Sequence, residues 1–286
     1  MDYESFALSL AHVILGVVVL ILAKYALQLL SPYALDEEMT TKDNPAFGLA
    51  VSGYYAGVVL IYIAAALAAG PLPTDAGPRG VLLALVSDLA YALCGVLALN
   101  ASRWVFDRVL VSHVRNDTEI AANRNTGAGA LECGAYLASA IVLGGAIRQP
   151  GANVWVAAAL FVLGLIALLL AGRLYQWLAG YDLAGEIRSG NLAAGVAFGM
   201  TLCALALLMV RAVAGEYVSW IRNLTWFAID ALIGLLLLLV LRWVTDAALL
   251  PHARIADEIA RDRNVNVGLI EGVLAVGIAA IILYLF

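Results

Sequence analysis

Eight apolar runs, each long enough to cross a bilayer, alternate with short polar breaks along the chain. They lie near residues 5–30, 46–69, 81–106, 127–147, 152–178, 192–213, 224–248 and 266–286. A hydrocarbon core about 30 Å thick takes about 20 residues of helix to span. Gly70-Pro71-Leu72-Pro73, Gln149-Pro150-Gly151 and Pro251 punctuate the breaks. No period of two runs through the apolar segments, and backbone in lipid must bond within its own segment, so the runs are helices and not barrel strands. The pattern predicts an all-α polytopic transmembrane bundle of about eight spans.

The polar positions repeat. Glu119-Ile-Ala-Ala-Asn-Arg124-Asn125-Thr-Gly-Ala-Gly129-Ala-Leu-Glu132 returns as Glu258-Ile-Ala-Arg-Asp-Arg263-Asn264-Val-Asn-Val-Gly268-Leu-Ile-Glu271. At the same offset, Arg103-Trp104-Val-Phe-Asp107 returns as Arg242-Trp243-Val-Thr-Asp246. Two matches in one register indicate duplication, with domains expected at 1–148 and 149–286. An even number of spans per copy makes the two four-helix repeats parallel.

A finer repeat lies beneath this one. Each even-numbered span opens with Asn, then Gly, then a small residue at four-residue steps: Asn44/Gly48/Ser52, Asn125/Gly129/Cys133, Asn191/Gly195/Gly199 and Asn264/Gly268/Gly272. The chain therefore reads as four helical hairpins of two alternating kinds. Residues at i, i+4 and i+8 form one stripe of a helix, and small residues there let backbones approach where lipid offers no hydrophobic drive. The leading Asn is an N-cap, and Pro45 suits a first helical turn. Four helix N-termini converging on an anion is the functional alternative for this motif.

Four acids interrupt apolar spans: Asp88, Glu132, Asp230 and Glu271. Glu132 and Glu271 fall two turns after their Asn, about 10 Å into the helix at 1.5 Å per residue. A carboxylate at that depth is costly unless protonated, paired or hydrated. These acids are the candidates for a cation or proton route. The structural alternative is that Arg103 or Arg242 neutralises the Glu of its own half. Val51 and Phe198 occupy the matching positions in the other hairpins. Arg103/Asp107 and Arg242/Asp246 are spaced as i, i+4 pairs and are expected to be interfacial ion pairs.

Loop charge sets the expected orientation. Lys42, Arg108, Arg115, Arg124, Arg188, Arg254, Arg261 and Arg263 follow odd-numbered spans, against Arg79, Arg148, Arg211 and Arg222 on the other side. The positive-inside rule then puts both termini outside. Trp155, Trp220 and Trp226 would form the outer aromatic belt, with Trp104, Trp177 and Trp243 the inner one. The acidic start, Met1-Asp2-Tyr3-Glu4, is expected to lead into a retained first span instead of a cleaved signal.

Composition agrees: 64% of residues are hydrophobic and 13% charged, with mean hydropathy +0.94. Soluble domains are about half apolar and about a quarter charged. No basic-aromatic stripe points to nucleic acid. Cys94, Cys133 and Cys203 have no metal or disulfide spacing and read as small buried hydrophobes. His12, His113 and His252 are far apart, so no metal site or cofactor is expected. GxSxG, HExxH, Walker and dinucleotide signatures are absent, so no enzyme activity or catalytic residue is expected.

At Asn44-Pro-Ala-Phe-Gly48, Asn125-Thr-Gly-Ala-Gly129 and Asn191-Leu-Ala-Ala-Gly195 the chain resembles the bacterial YjfL family, whose domain is catalogued as domain of unknown function 350. The resemblance covers nearly the whole chain, one domain per half. It implies a multi-span protein of the bacterial inner membrane without an established activity and with no catalytic residues to carry over. Some relatives are encoded near phage-shock components and polyamine-related or ATP-grasp ligase genes, which implies membrane maintenance.

The leading expectation is permeation or transport of a small cation or proton along Glu132, Glu271, Asp88 and Asp230. The rival is a non-transporting scaffold of the envelope-stress response that docks cytoplasmic partners through the charged loops. A lipid-modifying enzyme is the third class and lacks a nucleophile–base set. Besides the lipid bilayer, the partners this reading allows are a second copy of the chain and a cytoplasmic stress-response protein.

Overall fold

A computed structural model describes residues 3–31, 33–68, 70, 77–110, 118–149, 153–249 and 254–285. The helices are α1 (Tyr3–Leu30), α2 (Pro45–Ala68), α3 (Pro78–Val109), α4 (Thr126–Ile147), α5 (Val154–Leu178), α6 (Leu183–Arg188), α7 (Leu192–Val213), α8 (Trp220–Leu249), α9 (Ile255–Ala260) and α10 (Val265–Leu285). Among the described residues, eight helices are long and apolar enough to cross a membrane. The fold is an all-helical bundle of two tandem four-span copies. Helix α3 starts at Pro78, earlier than hydropathy alone suggests, because proline suits the first helical turn after Gly77.

Short turns of helix precede each even-numbered span: single π-turns at Glu37–Thr41 and Thr118–Ala122 before α2 and α4, and α6 and α9 before α7 and α10. Hydrophobic patterning treats these segments as charged loops, since five or six residues are too few to show a helical period.

The even-numbered spans form the spine of the molecule. Helices α2, α4, α7 and α10 stand side by side in that order, each packed along its neighbour. The register recurs from pair to pair. Gly129 lies on Ala46, Gly195 on Gly127 and Gly268 on Ala193, and one to two turns further on Gly53 lies on Cys133, Gly134 on Gly199 and Gly272 on Met200. Equal register from the same helix ends means that all four run parallel, and one step relates each hairpin to the next. At Gly129 and Gly195 an added Cβ would sit 2.2 and 2.1 Å from a facing carbonyl oxygen. Only glycine permits that approach, and close packing of backbones is what holds helices together in lipid.

The remaining spans pack around this row. Helix α3 touches α2 and α4, α5 touches α4 and α7, α8 touches α7 and α10, and α1 lies beside α2 and α3. Helices α4 and α7 are the enclosed centre, whereas α1, α3 and α8 are mostly exposed, as lipid-facing helices are. All six tryptophans are exposed, near one end of α5 and α8 (Trp155, Trp220, Trp226) or the other end of α3, α5 and α8 (Trp104, Trp177, Trp243). The cysteines depart from the sequence reading: Cys203 is buried, Cys133 half-buried and Cys94 exposed. Cys94 belongs to α3, whose apolar outer face needs no enclosure by protein.

Candidate functional site

Two constellations of polar side chains interrupt the apolar interior. The first is a ladder at the N-terminal ends of the spine helices. The side-chain oxygen of each Asn caps its own helix, accepting from Ala46 N (3.2 Å) and Phe47 N (3.3 Å) at Asn44, Ala128 N (2.9 Å) at Asn125, Ala194 N (3.2 Å) at Asn191 and Asn266 N (3.2 Å) at Asn264. Each Asn amide donates to a glutamate of its own turn: Glu38 (3.0 Å), Glu119 (3.1 Å), Glu186 (2.9 Å) and Glu258 (2.9 Å).

Three of the amides also cross to the next hairpin. Asn44 donates to the Ile120 carbonyl (2.8 Å), Asn125 to that of Ile187 (2.7 Å) and Asn191 to that of Ile259 (2.7 Å). The residue before every Asn is in the left-handed region: Asp43 (φ 46°), Arg124 (52°), Gly190 (80°) and Arg263 (51°). That kink turns each chain from its short helical turn into the cap. Arg124 donates to the Lys42 carbonyl, and Arg263 to the Ser189 hydroxyl (2.8 Å).

The four glutamates are the part of this ladder that sequence reasoning missed. Their signal was present in the recurrent Glu five or six residues before each Asn, but no rule of local helix capping assigns a partner at that distance. At Glu38, burial acts to raise the pKa, but hydrogen bonds from Lys42 and Asn44 outweigh it and hold the carboxylate below its ordinary range.

The second constellation holds the four intramembrane acids, in separate pairs. Glu132 on α4 is buried and forms an ion pair with Arg103 Nε on α3 at 2.8 Å; that arginine is itself only 11% exposed. A cavity of about 10 Å³, room for about one water, is lined by both residues together with Phe106, Asp107 and Leu131. Arg103 and Asp107 thus line one small cavity with Glu132. Glu271 on α10 is buried and accepts a hydrogen bond from Tyr175 Oη on α5 (3.0 Å), whose ring stacks on Phe198 (5.5 Å between centroids).

Asp88 on α3 is buried against His12 Nε2 of α1 (3.3 Å), and the backbone carbonyl of His12 accepts from Tyr62 Oη (2.5 Å). Asp230 on α8 pairs with Arg211 Nε of α7 (3.2 Å) in a more open position. The two aspartates are not equivalent: the register that matches Arg103 to Arg242 matches Asp88 to Phe227 and Asp230 to Tyr91, one turn apart. His12 had no sequence signal as a partner, because nothing in the spacing of α1 and α3 fixes which faces meet. The side chains of Arg242 and Asp246 lie outside the described residues.

Between the Arg103–Glu132 and His12–Asp88 pairs, the first half holds further polar groups. Tyr136 follows Glu132 by one turn, and its buried hydroxyl has no hydrogen-bond partner among the described residues. Its ring meets that of Tyr54 at 5.2 Å, and Asn100 Nδ2 donates to Tyr54 Oη at 3.3 Å. The second half has Thr201, Ala275 and Phe227 where the first has Tyr54, Tyr136 and Asp88.

The family described as a Domain of Unknown Function, DUF350, matches residues 1–147 and again residues 151–285. The chain belongs to the DUF350 family. Two tandem copies fill it, and the α4–α7 contact is where DUF350 copy meets DUF350 copy. No curated protein and no solved structure matches the chain.

Proposed function

We propose that the chain is a multi-pass protein of the bacterial inner membrane that carries protons through its first half, without covalent chemistry on a substrate. In this reading the asparagine-capped ends face the cytoplasm and both termini face outside, as the loop charge favours. The observation that carries it is the buried Arg103–Glu132 pair, followed by Tyr136, Tyr54 and Asn100 and, near the other end of α3, by the His12–Asp88 pair. An ionisable residue within a membrane span is by default a candidate for an ion or proton path. A proton is favoured over a hydrated cation because the acids stand in separate pairs and the space beside Glu132 admits about one water.

Arg103 is the movable counter-ion of this proposal. Asp107, one turn further along α3, lines the same cavity as Glu132. When the guanidinium turns to Asp107, Glu132 loses its counter-charge and takes up a proton; when it returns, the proton leaves toward Tyr136. Tyr54 and Tyr62 are about 12 Å apart along α2, at 1.5 Å per residue, an interval that this proposal requires water to cross.

The test is flux into liposomes containing the purified chain, with a pH-sensitive dye inside. A pH gradient is expected to dissipate while sodium and potassium gradients persist, and Glu132→Gln is expected to abolish the flux. Dissipation at equal rates in Glu132→Gln, or transport of sodium or potassium at the proton's rate, would overturn the proposal. A scaffold that docks an envelope-stress partner is the second reading, favoured by the solvent-exposed Arg261–Asp262 pair beside α9. A partner retained by that turn, with no flux of any ion, would favour it.

A further inference from the structure

The spine has two edges, and each presents what the other lacks. Within the chain the same interface is made three times, α2 on α4, α4 on α7 and α7 on α10. In every case the leading helix contributes its Asn amide and the residues two and nine positions after it. The following helix contributes an isoleucine carbonyl of its preceding turn, the Gly four positions after its Asn and the small residue at eight. Ile120, Ile187 and Ile259, which supply those carbonyls, are completely buried, and Gly129, Gly195 and Gly268 are buried.

The leftover halves of this interface stand on opposite sides of the molecule. On α10, Asn264 donates to Glu258 and, among the described residues, to no neighbouring turn. Asn266 and Val273, its contact positions, are exposed, and Gly277 has open space before it. On α2, Met39 takes the place of the isoleucines and is 46% exposed, Gly48 has none of the described residues within 4 Å of an added Cβ, and Ser52 is exposed.

We infer that a second copy of this chain docks here, its α2 edge on the α10 edge of the first, so that the ladder continues from chain to chain. Continuity with the α4–α7 interface is the argument. That contact already joins the second hairpin of one DUF350 copy to the first hairpin of the next, and α10 with a neighbour's α2 are the same two kinds of hairpin in the same order. The rungs alternate in the same sense: Arg124 and Arg263 reach back across the α2–α4 and α7–α10 contacts, whereas Gly190 at α4–α7 and Asp43 at the open edge supply no such guanidinium. In the continued ladder the Asn264 amide meets the Met39 carbonyl of the next chain, Gly48 lies against Asn266, and Ser52 faces Val273. A contact of this head-to-tail kind closes into a ring or runs on as a filament, according to the rotation per step.

The pair Ser52 and Val273 corresponds to Cys133 on Gly53 and to Gly199 on Gly134, where an added Cβ would fall 2.4 and 2.3 Å from the facing Cα. The experiment therefore places Ser52→Cys and Val273→Cys together in a full-length chain carrying Cys94→Ala, Cys133→Ala and Cys203→Ala, and oxidises it in the membrane. Covalent dimers and higher species are expected only when both cysteines are present. No more product than with either cysteine alone, or efficient linkage by Ser52→Cys alone, which reports a symmetric contact of two α2 helices, would overturn the inference. Gly48→Trp supplies the second measurement, since the space before Gly48 lets the single chain fold around the larger side chain. It is expected to keep the melting temperature of the dissociated chain while shifting the native mass in detergent to one copy. An assembly unchanged in mass by Gly48→Trp would equally overturn it.

Discussion

The amide of Asn125 lies 2.7 Å from the carbonyl oxygen of Ile187, so the cap of one family copy is hydrogen-bonded to the first turn of the next. The side chain is buried, and the bond crosses the interface along which α4 packs on α7. One asparagine thus starts a helix and fixes the register of its neighbour.

Removing that side chain loses both roles. Asn125→Ala or Asn191→Ala is expected to cost about 1 kcal/mol for the cap and about 1 kcal/mol more for the buried crossing bond. Asn264→Ala, which has the cap but crosses to no turn among the described residues, is expected to cost only the first amount in the dissociated chain. Thermal unfolding in detergent checks the ranking, and equal losses at all three positions would contradict it.

The glycines of the spine divide in the same way. At Gly134 an added Cβ falls 2.3 Å from Gly199 Cα, so Gly134→Ala forces α4 and α7 apart and is expected to cost about 1–3 kcal/mol as an overpacked contact. Gly277→Ala meets nothing within 4 Å and is expected to stabilise the single chain by up to about 1 kcal/mol through helix propensity. Denaturation of the two variants side by side separates close packing from mere helix preference.

Glu132 and Arg103 are predicted to depend on one another. Glu132→Gln removes the Arg103–Glu132 ion pair and leaves Asp107 as the carboxylate beside the guanidinium, so it is expected to destabilise by less than the about 3–5 kcal/mol of a wholly uncompensated buried charge, and Arg103→Met with Glu132→Leu should recover most of that loss. A double-mutant cycle of melting temperatures reports the coupling. The paired replacement also separates folding from transport: a folded chain without flux is the expected combination.

Acid should loosen the first rung of the ladder. The Glu38 carboxylate is held below its ordinary range by Lys42 and Asn44, so its contribution is fully present above about pH 4.5 and is lost as pH falls through the depressed folded value. Amide exchange in Glu37–Thr41 is expected to rise below that point and to be insensitive to pH between 6 and 8. Glu38→Gln should remove the acid dependence.

Much of this fold is legible from residue order. The eight spans follow from hydropathy, and the Asn–Gly–small stripe marks the face along which the spine helices pack, because the stripe and the contact share one helical geometry. What remained hidden needed the third dimension. Nothing in the chain says that His12 meets Asp88, since two helices of uniform apolarity carry no record of which faces touch. The glutamates behind the caps were visible as letters but not as acceptors, because the bend at Asp43, Arg124, Gly190 and Arg263 that brings them to the Asn depends on left-handed backbone at mostly non-glycine positions. Asp88 and Asp230 do not occupy matching positions once the register of α3 and α8 is taken from Arg103 and Arg242.

The asymmetry between the halves leads to the most direct test of the proton path. Both Glu132 and Glu271 are buried at the same depth of equivalent helices, yet only the first is followed by Tyr136, Tyr54 and Asn100. Potential-driven proton uptake should be measured in liposomes containing Glu132→Gln, Glu271→Gln or the unaltered chain, with folded protein matched by native mass. The account predicts that uptake disappears with Glu132→Gln and persists with Glu271→Gln; equal uptake in both, or loss only with Glu271→Gln, would contradict it.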